Sequence, residues 1–163
     1  MSNLFLESAM ELLIQKILRP RAIPFRLINL TKPAMTVEDV VSFANGIINV
    51  DEICKTVVIK ERKSGKMYAV LLKGADKIDF AKIKKLIEGQ DVTLASSEEV
   101  KKASGVEPGA VCPFLVSVPL FVDSKVFEFE KINTGSGDHL YGLEFEVKDL
   151  EKIILYKVAE VAK

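Results

Sequence analysis

Lys55 is the residue whose placement most invites chemistry. It falls in Ile53-Cys-Lys-Thr-Val-Val-Ile59, which reads as a strand, where every second side chain shares a face. Lys55 then shares its face with Ile53, Val57 and Ile59. A lysine so placed either snorkels to a solvent edge or meets an anion or a carbonyl dipole. A second cluster, Gly105-Val-Glu-Pro-Gly-Ala-Val-Cys-Pro113, holds two glycines and two prolines. It reads as a stiff connector from helix to strand, or as a pocket wall where Gly109 lets another molecule approach the backbone. A third, Asn133-Thr-Gly-Ser-Gly-Asp138, reads as a hairpin turn or as a nest of N–H groups for a carboxylate, phosphate or oxyanion. No helix follows it and no Gly-Lys-Ser/Thr is present, so it is neither a dinucleotide fingerprint nor a P-loop. Cys112 and His139 offer a nucleophile and a base, but no third residue orients the histidine. Glu144 and Glu146 alternate with an apolar set and read as solvated.

The elements that must position these groups follow from patterning. Met1–Pro20 reads as a short amphipathic helix, with Leu6, Met10, Leu13, Ile14 and Ile17 on one stripe. Arg19-Pro-Arg21 breaks it, and Phe25–Leu30 alternates as a strand. Thr36 caps a helix with two acids in its first turn and Val37, Val40, Val41 and Ala44 inward; Asn45-Gly46 ends it. Ile53–Glu61 and Lys66–Lys73 form a strand pair around Lys63-Ser-Gly65. Met67–Leu72, apolar on both faces, is the central strand. Asp79 caps a helix with Phe80, Ile83, Leu86 and Ile87 inward, ended by Gly89. Val92–Ala95 is a short strand, and Ser96-Ser-Glu-Glu99 opens a helix that stops at Gly105. The remainder reads as strands Val116–Val122 and Lys125–Ile132 about Asp123-Ser124, a loop over Asn133–Asp138, a strand Gly142–Val147, and a last helix through Ile153, Ile154 and Val158. The sum is a single α+β domain over 1–163, with a mixed sheet, strongly curved or closed into a barrel, flanked by helices.

Composition bounds the function. The 163 residues suit one domain with a proper core, and 48% hydrophobic with 28% charged residues is globular. No apolar run nears the ~20 residues of a membrane span. The N-terminus has no basic stretch, carries Glu7 and Glu11 among its apolar residues and lacks a cleavage site, so it is not read as a signal peptide and the cytoplasm is the default. Two cysteines and one histidine without metal spacing argue against a metal site, and a disulfide is not expected in a reducing compartment. No cofactor is expected. The net charge is zero, yet residues 55–102 carry +5 and residues 103–163 carry −4. One face can meet a polyanion, although a solvated lysine-rich helix explains the same count.

The three clusters occur in an order that resembles the YbaK/EbsC family of aminoacyl-tRNA deacylases, related to the editing domain of bacterial prolyl-tRNA synthetase. The likeness rests on Glu52-Ile-Cys-Lys-Thr-Val-Val-Ile59, Gly105 to Phe114, Thr134-Gly-Ser-Gly137 and Tyr141 to Val147, and covers about 25–154. It implies hydrolysis of the ester joining a wrong amino acid to the tRNA 3′ end. By resemblance Lys55 positions the terminal phosphate and aminoacyl carbonyl, Gly109 brings backbone to the scissile ester, and Thr134 or Ser136 matches the family's loop serine. Gly105, Ala110, Cys112, Pro113, Gly135 and Gly137 are the implied substrate-binding positions. The resemblance further implies proton work by a tRNA ribose hydroxyl and water, and a small amino acid (alanine, cysteine or serine) as the one removed. Cys112 stands where many members have serine, and Thr31-Lys-Pro-Ala-Met35 matches no one subfamily closely. The implied partners are the aminoacyl-tRNA acceptor end and an aminoacyl-tRNA synthetase, with no DNA and no membrane. The alternatives are a module of the same fold that binds tRNA or a synthetase without hydrolysis, and a cysteine hydrolase using Cys112 and His139.

Overall fold

The computed structural model describes residues 11–163. Helix α1 (Leu13–Leu18) buries Ile14 and Leu18, one turn apart on one face, and leaves Leu13 exposed. Leu6 and Met10 of the anticipated stripe lie outside the described residues. The 3-10 turn Arg19–Arg21 follows, with proline inside it. Strand β1 is Phe25–Asn29 and α2 is Val37–Phe43. Thr36 Oγ1 accepts from the Asp39 N–H while Asp39 Oδ2 accepts from the Thr36 N–H, a capping box of about 1 kcal/mol.

β2 (Cys54–Glu61) and β3 (Met67–Lys73) pair antiparallel from Cys54↔Lys73 to Lys60↔Met67. Ala69, Val70, Leu71 and Leu72 are all fully buried, because β3 has core on both faces. Asp79 Oδ1 accepts from Ala81 and Lys82 to start α3 (Phe80–Ile87). That helix ends on left-handed Glu88, one residue before the expected glycine. β4 is Val92–Leu94, and α4 (Ser97–Ser104) runs from the Ser96–Glu99 capping box to left-handed Gly105.

The C-terminal third departs from the sequence reading. β5 is confined to Leu120–Asp123, after a 3-10 turn at Pro113–Leu115. Ser124–Glu128 is a 3-10 helix, not a strand, because the Asp123 carboxylate accepts from the Lys125 N–H and turns the chain. β6 is Lys131–Gly135, so Asn133–Gly135 are strand residues, and β7 is Tyr141–Glu146. The expected last helix is a 3-10 segment, Val147–Lys152, followed by β8 (Tyr156–Ala159). There Asp123 Oδ1 accepts from the Val161 and Ala162 N–H groups, drawing the tail alongside β5.

Two sheets result. One is antiparallel, β1-β7-β6; the other is mixed, β4-β2-β3-β5-β8, with β3–β5 and β5–β8 parallel. Among the described residues one parallel bridge, Ile53↔Asn133, links their backbones, and the two pack over a shared core that includes Cys54, Leu71, Ile132 and Leu143. The mixed α+β domain is as anticipated, but the sheet is not closed into a barrel.

Candidate functional site

The gap between the sheets holds a cavity that is the candidate site. β4 covers β2 only over Ile59–Glu61, and one further bond joins the Ala95 N–H to Val58 O at 3.0 Å. Cys54–Val58 therefore line a cavity of about 330 Å3. Ile28 of β1, Val37 and Val40 of α2, Ile48 and Ile53 supply apolar wall. Met35, Leu94, Pro108 and Gly109 also line it, with Asn133, Thr134, Gly135, Tyr141 and Gly142 from β6 and β7. Val37 and Val40 of α2 thus cover a cavity and Ala44 is buried, whereas Val41, anticipated as inward, is exposed; none of that helix's residues is fully buried.

Two of the wall-forming segments are glycine-dependent for a steric reason. Gly109 has φ +103°, and a Cβ there would meet Met35 O at 2.5 Å and its Cα at 2.8 Å. At Gly135 a Cβ would strike Val111 O and stand 2.7 Å from the Ala110 carbonyl carbon. The Gly137 N–H also donates to Ala110 O at 2.8 Å. Segments Met35, Gly109–Val111 and Gly135–Gly137 are therefore laid backbone against backbone. That arrangement occupies the glycine loops with each other and replaces the free nest that the sequence left open.

Lys55, Gly109, Thr134 and Gly135 are brought together in the wall; the other anticipated positions are not. Ser136 is buried, its one hydroxyl proton shared between Tyr141 O at 2.6 Å and Asp138 O at 3.0 Å while Oγ accepts from the Asp138 N–H. Its hydroxyl holds the β6–β7 turn. Gly105 is the left-handed cap of α4, in open space. Ala110, Cys112 and Pro113 are buried behind the wall, and Gly137 is in the turn. Sequence reasoning missed Thr56, Asn133 as a wall residue, Asp138 and Tyr141. Strand alternation could have flagged none of these, since it puts Thr56 on the face opposite Lys55.

Lys55 and Asp138 are the charged side chains of the wall, with His139 beside them. Burial lowers the Lys55 ammonium below the ordinary lysine range, Asp76 and Glu38 pull it back up, and Lys77 lowers it. His139 Nδ1 lies 2.8 Å from Ala34 O. Cys112 is fully buried and its thiol is pushed up to about 12 by burial. Cys54, in the wall but almost wholly buried, is likewise pushed up to about 12. Neither offers a thiolate at neutral pH, so a Cys112–His139 pair is disfavoured.

Residues 31–153 match the family model described as the aminoacyl-tRNA editing domain. The chain belongs to that family. The resemblance seen in the sequence is thereby borne out. This editing domain is 29% identical over 114 residues to the proline–tRNA ligase of Caldicellulosiruptor bescii, covering 70% of the chain and 19% of the ligase. It is 33% identical over 90 residues to that of Chlamydia trachomatis serovar A, covering 54% and 15%. The domain thus spans about a fifth or less of the curated relatives it matches. Among solved structures, a hypothetical protein superposes with TM-score 0.80 at 26% identity, over 92% of this chain and 99% of that one. A protein proposed as a trans-editing enzyme for prolyl tRNA synthetase superposes at 0.77 and 22% identity, over 92% and 94%, which establishes the fold. No helix among the described residues is long and apolar enough to cross a membrane.

Proposed function

We propose that this editing domain acts in trans as a deacylase, hydrolysing the ester of a tRNA mischarged with alanine, cysteine or serine. The observation that carries the reading is the 330 Å3 cavity with Lys55 in an otherwise mainly apolar wall. That volume lies at the low end of the roughly 300–1,000 Å3 of ligand sites, which suits a small side chain on the end of a polynucleotide. Family membership and the similarity to proline–tRNA ligases support the acceptor end of tRNA and a synthetase as partners.

In the step itself, water adds to the ester carbonyl carbon, the bond from that carbon to the ribose oxygen breaks, and the released oxygen takes a proton. Lys55 holds the terminal phosphate and the aminoacyl carbonyl. The backbone around Gly109 adds polar groups to the developing oxyanion, and a ribose hydroxyl with water moves the protons. Positioning of this kind is worth up to about 7–11 kcal/mol, and one oxyanion donor about 3–4 kcal/mol. A protein nucleophile is not needed, in keeping with the inert state of Cys54 and Cys112.

The test is deacylation of Ala-, Cys- and Ser-charged tRNAs by the purified protein, beside Lys55→Ala. Turnover above the spontaneous rate for at least one of them is expected. Binding of tRNA with no turnover across the panel would leave a binding module in its place.

A further inference from the structure

Buried polar atoms without partners require an explanation. Five side-chain oxygens among the described residues are in that position: Thr56 Oγ1, Asp76 Oδ2, Asn133 Oδ1 and both Asp149 oxygens. Charge accounts for the aspartates, since Lys125 Nζ stands 3.5 Å from Asp76 Oδ2 and Lys152 Nζ 2.6 Å from Asp149 Oδ1. Thr56 and Asn133 remain, and both line the same cavity. A threonine hydroxyl rotates to suit any partner, so Thr56 discriminates little. Asn133 is different.

The direction in which Asn133 presents its oxygen is fixed from behind. In register, Arg26, Glu144 and Asn133 stand side by side across β1, β7 and β6. The Glu144 carboxylate is gripped by Arg26 through Nε at 3.2 Å and Nη2 at 2.9 Å, with Lys131 Nζ at 3.8 Å. Asn133 Nδ2 donates to that carboxylate at 3.4 Å. A carboxylate only accepts, so the amide must turn its NH2 toward Glu144 and its oxygen away. Oδ1 is thus an oriented acceptor, closed to bulk solvent, on the sheet face that also carries Ile28 and Gly142 of the cavity wall.

We infer that Asn133 Oδ1 accepts a hydrogen bond from the α-ammonium group of the esterified amino acid, an inference that rests on the deacylase reading above. The bridge Ile53↔Asn133 places Lys55 two residues further along β2, about 7 Å away along the strand. An acceptor at one end and a cation at the other fit a ligand with an ammonium at one end and carbonyl and phosphate oxygens a few bonds away. Asn133 is 3% exposed and its Oδ1 is buried without a partner, so a bound ammonium supplies the partner it lacks.

The experiment uses two stable mimics of the tRNA 3′ end, 3′-amino-3′-deoxyadenosine acylated through an amide with alanine or with lactate, which replaces the ammonium by a hydroxyl. Calorimetric titration of the wild-type protein is expected to show the alanyl form binding about tenfold or more tightly. Asn133→Leu, checked for folding by its melting curve, is expected to bind the two forms equally. Equal affinity of the wild type for both, or a preference that survives in a folded Asn133→Leu, overturns the assignment. Should that variant not fold, Asn133→Ala takes its place with the same two outcomes, since Asp138 in the same wall could give the wild type a preference of its own. A clear ammonium preference with no hydrolysis of any charged tRNA would refute the deacylase reading and leave the Asn133 assignment standing.

Discussion

Burial holds the Lys55 ammonium below the ordinary lysine range, so folding works against its charge. Between the folded value and the usual ~10.4 the unfolded chain binds more protons, and stability rises with pH through that interval; below it the cost is fully present. Lys55→Met is therefore expected to raise the melting temperature at neutral pH, by a margin that narrows at alkaline pH, while activity is lost. A Lys55→Met melting point below the wild type's at pH 7 would contradict the strained-cation account. Glu61 presents the opposite sign. Its buried carboxylate accepts from the Ser64, Gln90 and Asp91 N–H groups, and its pKa is held down to about 2, chiefly by the Asp91 bond. Its contribution is complete above about 4.5 and fades as pH falls through about 2. Glu61→Gln should thus melt below the wild type at pH 7 and converge with it near pH 2. The placement of Lys55 was legible because strand alternation fixes which side chains share a face. The fate of Ser136 was not, since its hydroxyl is spent on carbonyls of a turn whose geometry the sequence does not print.

At the scale of elements, three glycines separate conformational need from close approach. Gly109→Ala and Gly135→Ala drive a methyl into the backbone of Met35 and of Ala110–Val111. Each should cost roughly 1–3 kcal/mol or more and reshape the cavity. Gly105→Ala meets no atom within 4 Å and bears only its left-handed φ of +79°, roughly 1 kcal/mol. Urea denaturation ranks the three, and equal losses would remove the packing argument. The helices were legible from their caps: Thr36, Asp79 and Ser96 each accept from their own first turn. The C-terminal strand was not, because Tyr156–Ala159 finds its place by pairing parallel with distant Leu120–Asp123. Local patterning gives no sign of such a partner, and the apolar spacing of Ile153, Ile154 and Val158 reads equally as a helix.

Over the whole molecule, the family resemblance supplied what periodicity could not, namely that the three clusters belong to one candidate site; that the site is a gap between two sheets came from the structure. The glycine clusters, which the sequence left open as connector or pocket wall and as turn or nest, are packed on one another, which is why only part of each reaches the cavity. Net charge is zero while residues 55–102 carry +5, so tRNA is expected to be held through backbone phosphates. The KM for charged tRNA should then rise with salt while kcat changes little; a salt-independent KM would contradict a phosphate-led encounter. The central claim is that Lys55 positions a mischarged tRNA end for hydrolysis. Its most direct test is the initial rate of deacylation of Ala-, Cys- and Ser-charged tRNA by wild-type protein and by folded Lys55→Ala. The account predicts turnover of at least one of them and a loss of about a hundredfold in the variant. A folded Lys55→Ala that turns over as fast as the wild type would contradict it.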